Sequence, residues 1–390
     1  MGLNNVQKSY VAGFLVSLGF FGPIAIPFFI DWIGVDYKQI FLLQAWFVMW
    51  VFILEIPTGI VADKFGRKIS LSLGCLFFAA DLFVFGFSRS FPVFFLSEFF
   101  GALGVALISG ADTAFIYDSI KNKKEGKKYL SRYQAAGTLG MVVAFPLGSL
   151  IAGSQLLPYP GSLAIPFLLS GLCALLAALV FISVDEPKRH FRRGHFLTDG
   201  IKGMKLLWNN KPLRAFAINS ILISSVTFFI FWFYQPLAGQ AGIPLAIYGF
   251  IAGGYNLIAA LLLIKVNELE NFFGMKNILF YTAIMPALLF IALAFFKSAY
   301  FVIPAIFVIA ISKLLRYPIL SDFMNQHIRS RRRATVISCI SALERLCIFA
   351  LYLILGVLAD ISLNYALLFL GIMALVFAVF TRIEDSHITN

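Results

Sequence analysis

Long apolar runs separated by short polar gaps recur along all 390 residues. A membrane-crossing helix takes about 20 mostly apolar residues. The pattern predicts twelve, numbered here as spans 1 to 12: 10–30, 39–61, 69–88, 91–117, 129–153, 162–183, 213–237, 246–266, 276–296, 299–323, 334–358 and 363–381. An even count places both termini on one side. Span 1 follows a lone Lys8 with no small-residue cleavage site after it, so it is expected to be a retained helix and not a removable signal. The longest polar gap falls in the middle of the chain. It predicts an all-α membrane protein of two six-helix bundles, 1–183 and 213–390, joined by a linker over 184–212. Within the linker Leu197, Ile201, Met204 and Trp208 recur at helical spacing between lysines, which predicts an amphipathic helix on the inner membrane surface.

Composition agrees with this pattern. Hydrophobic residues make up 60% of the chain and charged residues 13%, and the mean hydropathy is +0.89, too apolar for a soluble domain of this length. The net charge of +12 invites a polyanionic partner, but the placement of the Lys and Arg residues decides its meaning. With the N-terminus inside, 25 of the 31 basic residues fall in inner gaps, while the outer gaps hold only Lys38, Arg89 and Lys297. That is the positive-inside asymmetry. Both termini are therefore expected to be cytoplasmic, in a plasma membrane or bacterial inner membrane, and no nucleic-acid partner is implied. The four cysteines lie within spans and the four histidines scatter over inner segments, neither at metal-ligand spacing, so no metal or cofactor is expected. No phosphate-cradling loop and no nucleophile–base pair is evident, which argues against an ATP-driven pump and against an enzyme.

The most polar short gap is GIVADKFGRK, residues 59–68, between spans 2 and 3. The six residues DKFGRK at 63–68 align with NFFGMK at 271–276, a shift of 208 that also carries span 1 onto span 7, as an internal repeat would. Gly59, Asp63, Lys64, Gly66, Arg67 and Lys68 reproduce the pattern GxxxD(R/K)xGR(R/K), so the chain resembles the major facilitator superfamily over essentially its whole length. The resemblance implies a pseudo-symmetric pair of six-helix bundles, a secondary transporter working by alternating access, and a cytoplasmic gate. In that gate Gly59 allows close helix approach and Gly66 a sharp turn. Asp63 would sit against the positive start of span 11, near Arg333 to Thr335, and Arg67 would pair with Asp112 or Asp118 at the inner end of span 4. Lys68 completes the basic side of the turn.

Charges inside the bilayer are costly and are functional candidates. Asp81 on span 3 and Glu98 on span 4 lie at one depth. They are proton-coupling candidates if they share a proton, and two separately hydrogen-bonded acids if they do not. Lys313 on span 10 and Glu344 on span 11 also share a level and can pair, leaving Arg316 without an obvious partner. In the family spans 1, 4, 7 and 10 line the cavity, which would turn Glu98 and Arg316 inward and suit Arg316 to an anionic group on the solute; an ion-pair network between spans 10 and 11 is the alternative. The aromatic run Phe228 to Gln235 offers Tyr234 and Gln235 as hydrogen-bonding cavity residues, or simply packs.

Two departures bear on direction. Many proton-linked members have an arginine in span 4 where this chain has Ser97, and the antiporter pattern GxxxGPxxG reads here as GMVVAFPLGS, with Phe145 in place of a glycine. The balance tilts only slightly toward export. Proton-coupled uptake of an anionic or aromatic metabolite, and a membrane sensor or scaffold that kept the fold, are the alternatives. The expected partners are a small solute, protons and the lipid bilayer, with the chain acting as a monomer.

Overall fold

In a computed structural model, the residues described are 4–120, 122–154, 157–187, 196–328 and 330–383. Among them, eleven helices are long and apolar enough to cross a membrane. They occupy spans 2 to 12: Tyr37–Phe65, Arg67–Phe87, Phe91–Ser119, Lys123–Ala152, Gly161–Ile182, Lys211–Gln240, Leu245–Ile264, Met275–Phe295, Ala299–Leu320, Thr335–Ile361 and Leu363–Phe380.

Span 1 departs from expectation. It is helical over Asn5–Val16, leaves helical geometry over 17–21 and resumes as an apolar helical segment, Gly22–Ile33. The cause lies in Gly19, Gly22 and Pro23. Proline lacks the N–H that a continuing helix would use and its ring collides with the preceding turn. Short turn bonds, such as Gly19 N–H to Ser17 O at 2.8 Å, satisfy the freed backbone groups locally, as a non-aqueous surrounding demands. Spans 4 and 7 are also interrupted. Span 4 breaks between Phe91–Ile108 and Ala111–Ser119, where Gly110 takes a φ of +75°, and span 7 breaks at Phe229 between Lys211–Phe228 and Ile230–Gln240.

The described residues form two compact units, one within Met1–Arg192 together with Pro244–Gly254, the other within Arg193–Ile243 together with Tyr255–Asn390. In the first unit, span 3 packs on spans 4 and 6, and span 1 on spans 5 and 6. In the second, span 9 packs on spans 10 and 12, and span 7 on spans 11 and 12. These four pairings of the first unit reappear with six added to both numbers, so the repeat seen in one turn extends to this part of the helix packing. Among apolar lipid chains there is no hydrophobic drive between helices, and close side-chain packing takes its place. In the first unit Phe28 meets Phe167 in a tilted contact at 3.9 Å between ring centroids and Phe85 stacks on Phe94 at 4.6 Å; in the second Phe216 stacks on Phe323 at 3.5 Å. The outward faces are themselves apolar, as at Leu96, Leu139, Leu261 and Ile372.

Phe145, the departure from the antiporter pattern, has a packing role. Its ring lies against Gly22, where span 1 resumes, leaving no room there for a Cβ. Four residues on, the Ser149 hydroxyl donates to Ala246 O at 2.9 Å, which ties the start of span 8 to span 5 inside the first unit. The linker helix is present as Phe196–Asn209 and packs on span 11 of its own unit. The face it packs on the protein carries Gly203 and Leu207. Leu207 is buried and Gly203 lies against Thr335 and Cys339, whereas Trp208 is 62% exposed. At 100° per residue, burial of 203 and 207 turns 208 away. The side chains of Leu197 and Ile201 lie outside the described residues.

Candidate functional site

The turn between spans 2 and 3 hinges on Gly66, at φ +117° and ψ +148°, a region that side-chain-bearing residues rarely enter. Its N–H caps span 2 through Ala62 O, and span 3 starts at the next residue. The repeat partner Gly274, at φ +76° and ψ +139°, caps through Glu270 O, again a shift of 208. Arg67 forms an ion pair with Asp118 at the end of span 4 and donates to Ala114 O at 2.5 Å. Asp112, the other expected partner, instead accepts the Thr113 N–H at 2.6 Å and the Tyr133 hydroxyl. Asp63 and Lys64 are exposed, and Gly59 is half-buried. Glu186, unremarked in the sequence, accepts the backbone N–H groups of both Arg67 (3.0 Å) and Lys68 (2.8 Å). Its carboxylate thus serves two of the orphan donors at the positive end of span 3 and ties the end of span 6 to the turn.

Asp81 and Glu98 come together in one buried cluster. The Ser97 hydroxyl donates to Asp81 Oδ1 at 2.6 Å and Gln44 Nε2 donates to Glu98 Oε1 at 2.8 Å, with all four residues under 10% exposed. Each carboxylate therefore has its own uncharged donor, and neither has an ion-pair partner among the described residues. Gly101 makes the approach of spans 3 and 4 possible: a Cβ there would stand 2.5 Å from Asp81 Oδ2. Gln44 escaped the sequence reading because a lone glutamine in an apolar run carries no pattern of its own.

The second unit corrects two expectations. Arg316 is not short of partners. It is fully buried, and its guanidinium donates to Leu279 O at 2.6 Å, to Thr282 Oγ1 at 2.9 Å and to Asn219 Oδ1. It is held among spans 7, 9 and 10 through Nη1 and Nη2, while Nε has no hydrogen-bond partner among the described residues, and the acceptors that hold it are all neutral. Asn219 and Thr282 were single polar residues in apolar runs, which is the only trace they left in the sequence. Lys313 and Glu344 feel each other's charge but are not within ion-pair distance; Lys313 Nζ stands 4.6 Å from the centroid of the Phe228 ring. The ring's negative face takes the place of the carboxylate.

Tyr234 and Gln235 are completely buried. Tyr234 meets Tyr255 edge-on at 6.3 Å, and the neighbouring Trp232 donates to the Tyr352 hydroxyl at 2.8 Å, so the aromatic run is packed core in this arrangement. No group of three or more His, Cys, Asp or Glu residues suited to a metal ion occurs among the described residues.

The family model described as Major Facilitator Superfamily matches residues 10–351. Among characterised and catalogued proteins, the chain is similar to Multidrug resistance protein 1 of Bacillus subtilis (strain 168), with 31% identity over 188 residues, 47% of this chain and 44% of that protein. It is also similar to the uncharacterized MFS-type transporter YxaM of the same organism, with 26% identity over 257 residues, 64% of this chain and 62% of that one. Quinolone resistance protein NorA of Staphylococcus aureus is 24% identical over 183 residues, 46% and 45% of the two chains. The chain spans about half the length of the curated relatives it matches. Among solved structures, the D-xylose-proton symporter superposes with a TM-score of 0.77 at 15% identity, covering 98% of both chains, and the nucleoside transporter NupG with 0.76 at 15%, covering 97% and 96%. At such identities the likeness is one of fold.

Proposed function

Because this chain belongs to the Major Facilitator Superfamily, we propose that it exports a small solute across the cell membrane by alternating access, in exchange for protons. The moving parts are the two bundles expected over 1–183 and 213–390, with 184–212 as their connection. The observation that carries the proton-linked reading is the Asp81–Ser97–Glu98–Gln44 cluster. Two ionised carboxylates in one buried cluster are expensive, and uptake of a proton relieves both the repulsion and the desolvation. A neutral hydroxyl and a neutral amide can serve either protonation state, whereas a lysine or arginine partner would hold the acid ionised. The cluster joins spans 3 and 4 through Gly101 and reaches span 2 through Gln44, so a change of protonation is felt by three helices of one unit.

Export rests on the relatives, whose printed names are multidrug resistance and quinolone resistance proteins. The gate reading rests on the turn: Gly66 sets the bend, Arg67 and Asp118 hold spans 3 and 4 at one end, Glu186 fixes the start of span 3, and Asp63 is exposed at the end of span 2. Gly59 and Lys68 complete that surface. Tyr234, Gln235, Lys313 and Glu344 remain the residues proposed to meet solute once span 7 moves, while Arg316 acts as a fastener. The chain is proposed to work as a monomer, needing only solute, protons and lipid.

Reconstituted vesicles with a pH-sensitive dye inside test this reading. A panel of a quinolone, a nucleoside and D-xylose should show proton movement with the quinolone, and Glu98→Gln should lower it at least about tenfold, equivalent to about 1.4 kcal/mol. Proton movement unaffected by Glu98→Gln would remove the cluster from the mechanism; proton-driven accumulation in place of release would reverse the direction.

A further inference from the structure

The second unit carries a basic pocket that the transport reading leaves unused. A cavity of about 220 Å³ opens where the start of span 7 meets the end of span 12, bounded by Lys211, Arg214, Thr381 and Arg382, with Ile218 and Phe380 on its rim. Lys211 and Arg214 are three apart on one helix face. Arg214 is steadied by donating to Trp208 O at 3.0 Å, and the Arg382 guanidinium lies 4.8 Å from the centroid of the Phe280 ring. None of the three cations has an ion-pair partner among the described residues. The floor is polar and connected. Asn219 Nδ2 donates to Thr381 Oγ1 at 2.9 Å, while Asn219 Oδ1 takes a hydrogen bond from the buried Arg316. A fourth, permanently charged cation thus stands behind the floor.

The rim is of opposite character. Phe380 is 83% exposed and Ile218 36% exposed, on the apolar flanks of spans 12 and 7. By the distribution of basic residues this end of both spans lies at the inner membrane surface. An anionic head among three cations, with apolar chains running along Ile218 and Phe380 into the hydrocarbon, describes one ligand class. We propose that the pocket binds the phosphate of an anionic phospholipid of the inner leaflet and so fastens the start of span 7 to the end of span 12. Lipid binding at this pocket is independent of the direction and coupling of transport. Each basic residue near an anionic surface strengthens attraction by about 1 kcal/mol, about fivefold in affinity, so loss of all three should weaken binding about a hundredfold.

The test is thermal unfolding and native mass spectrometry of the full chain in detergent, titrated with phosphatidylglycerol, phosphatidylcholine or inorganic phosphate. Phosphatidylglycerol should raise the midpoint by roughly 3–5 °C and leave a one-lipid adduct; phosphatidylcholine should do neither. The combined change Lys211→Gln, Arg214→Gln, Arg382→Gln should abolish both effects, while Lys127→Gln with Lys128→Gln, which removes two exposed cations elsewhere, should leave them. If the triple variant fails to fold, the single variants should each weaken the adduct about fivefold, and Arg382→Lys should retain it. An equal shift with inorganic phosphate would overturn the lipid assignment in favour of a soluble anion. A shift that survives the triple change would overturn the site itself.

Discussion

The two units treat buried charge in opposite ways. The first holds two carboxylates, Asp81 and Glu98, on neutral donors; the second holds one guanidinium, Arg316, on neutral acceptors. Four of their helix pairings match under a shift of six spans, yet these polar groups do not occupy matching positions, so the shared architecture was fitted with different chemistry in each half. The difference is one of reversibility. A carboxylate can shed its charge by taking up a proton, whereas a guanidinium stays charged at any accessible pH. The first cluster is suited to change state during a cycle, and the second to stay as it is.

The sharpest way to break this comparison is to remove Arg316. Arg316→Ala strips Asn219 and Thr282 of a donor at about 1–3 kcal/mol each and leaves a cavity between three helices. The expected result is a fall in the thermal midpoint of roughly 6–12 °C, measured by tryptophan fluorescence in detergent. Arg316→Lys should not restore it, because a single ammonium cannot replace a planar fork that serves three acceptors. Glu98→Gln should move the midpoint by no more than about 2 °C, since the new amide oxygen still accepts from Gln44. If Arg316→Ala is tolerated while Glu98→Gln unfolds the protein, the roles of fastener and switch are assigned the wrong way round.

How much of this the sequence disclosed follows from what each signal measures. The spans were legible because hydropathy reports how many apolar residues run together, and the repeat because Gly66 and Gly274 answer a backbone demand that only glycine meets easily. Breaks inside spans 1, 4 and 7 were hidden because hydropathy is blind to backbone continuity: Gly110 sits in an apolar run like any other small residue, and nothing at Phe229 marks a kink. The depth of Asp81 and Glu98 could be counted along their helices, and the structure brings them into one cluster. Their partners could not be counted. Gln44, Asn219, Thr282 and Glu186 are ordinary polar residues whose importance comes from what faces them across a helix interface, which spacing along one helix does not encode. Arg316 was misjudged for the same reason, since a search for carboxylates passes over the amide, hydroxyl and carbonyl that hold it.

A milder perturbation probes the geometry of the acid cluster without altering its charge. Gly101→Ala places a methyl group 2.5 Å from the present position of Asp81 Oδ2, so the carboxylate or the helix must shift. Overpacking of this kind costs about 1–3 kcal/mol. Proton-linked transport should fall a few-fold in the vesicle assay, less than for Glu98→Gln, because the acids survive but their spacing changes. Equal losses from both variants would mean that the cluster tolerates no adjustment and that Asp81, not Glu98, sets the response.

The smallest expected effect concerns the turn, where the units differ again. The first has Arg67 paired with Asp118 and a carboxylate from Glu186 on the start of span 3; the second has Met275 at the position of Arg67. The side chains of Arg67 and Asp118 are 21% and 26% exposed, so their pairing is solvent-screened and should contribute only about 0.2–1 kcal/mol. A double-mutant cycle on Arg67→Ala and Asp118→Asn measures that coupling as the departure from additivity in the unfolding free energy. The gate reading makes a further demand on the same variants: both should raise the reactivity of a cysteine placed at Ile60, near the Gly66 end of span 2, while barely moving the midpoint. A large coupling with no change in labelling would make the pair a structural tie within one unit, and the asymmetry between the two turns would then be a matter of stability and not of switching.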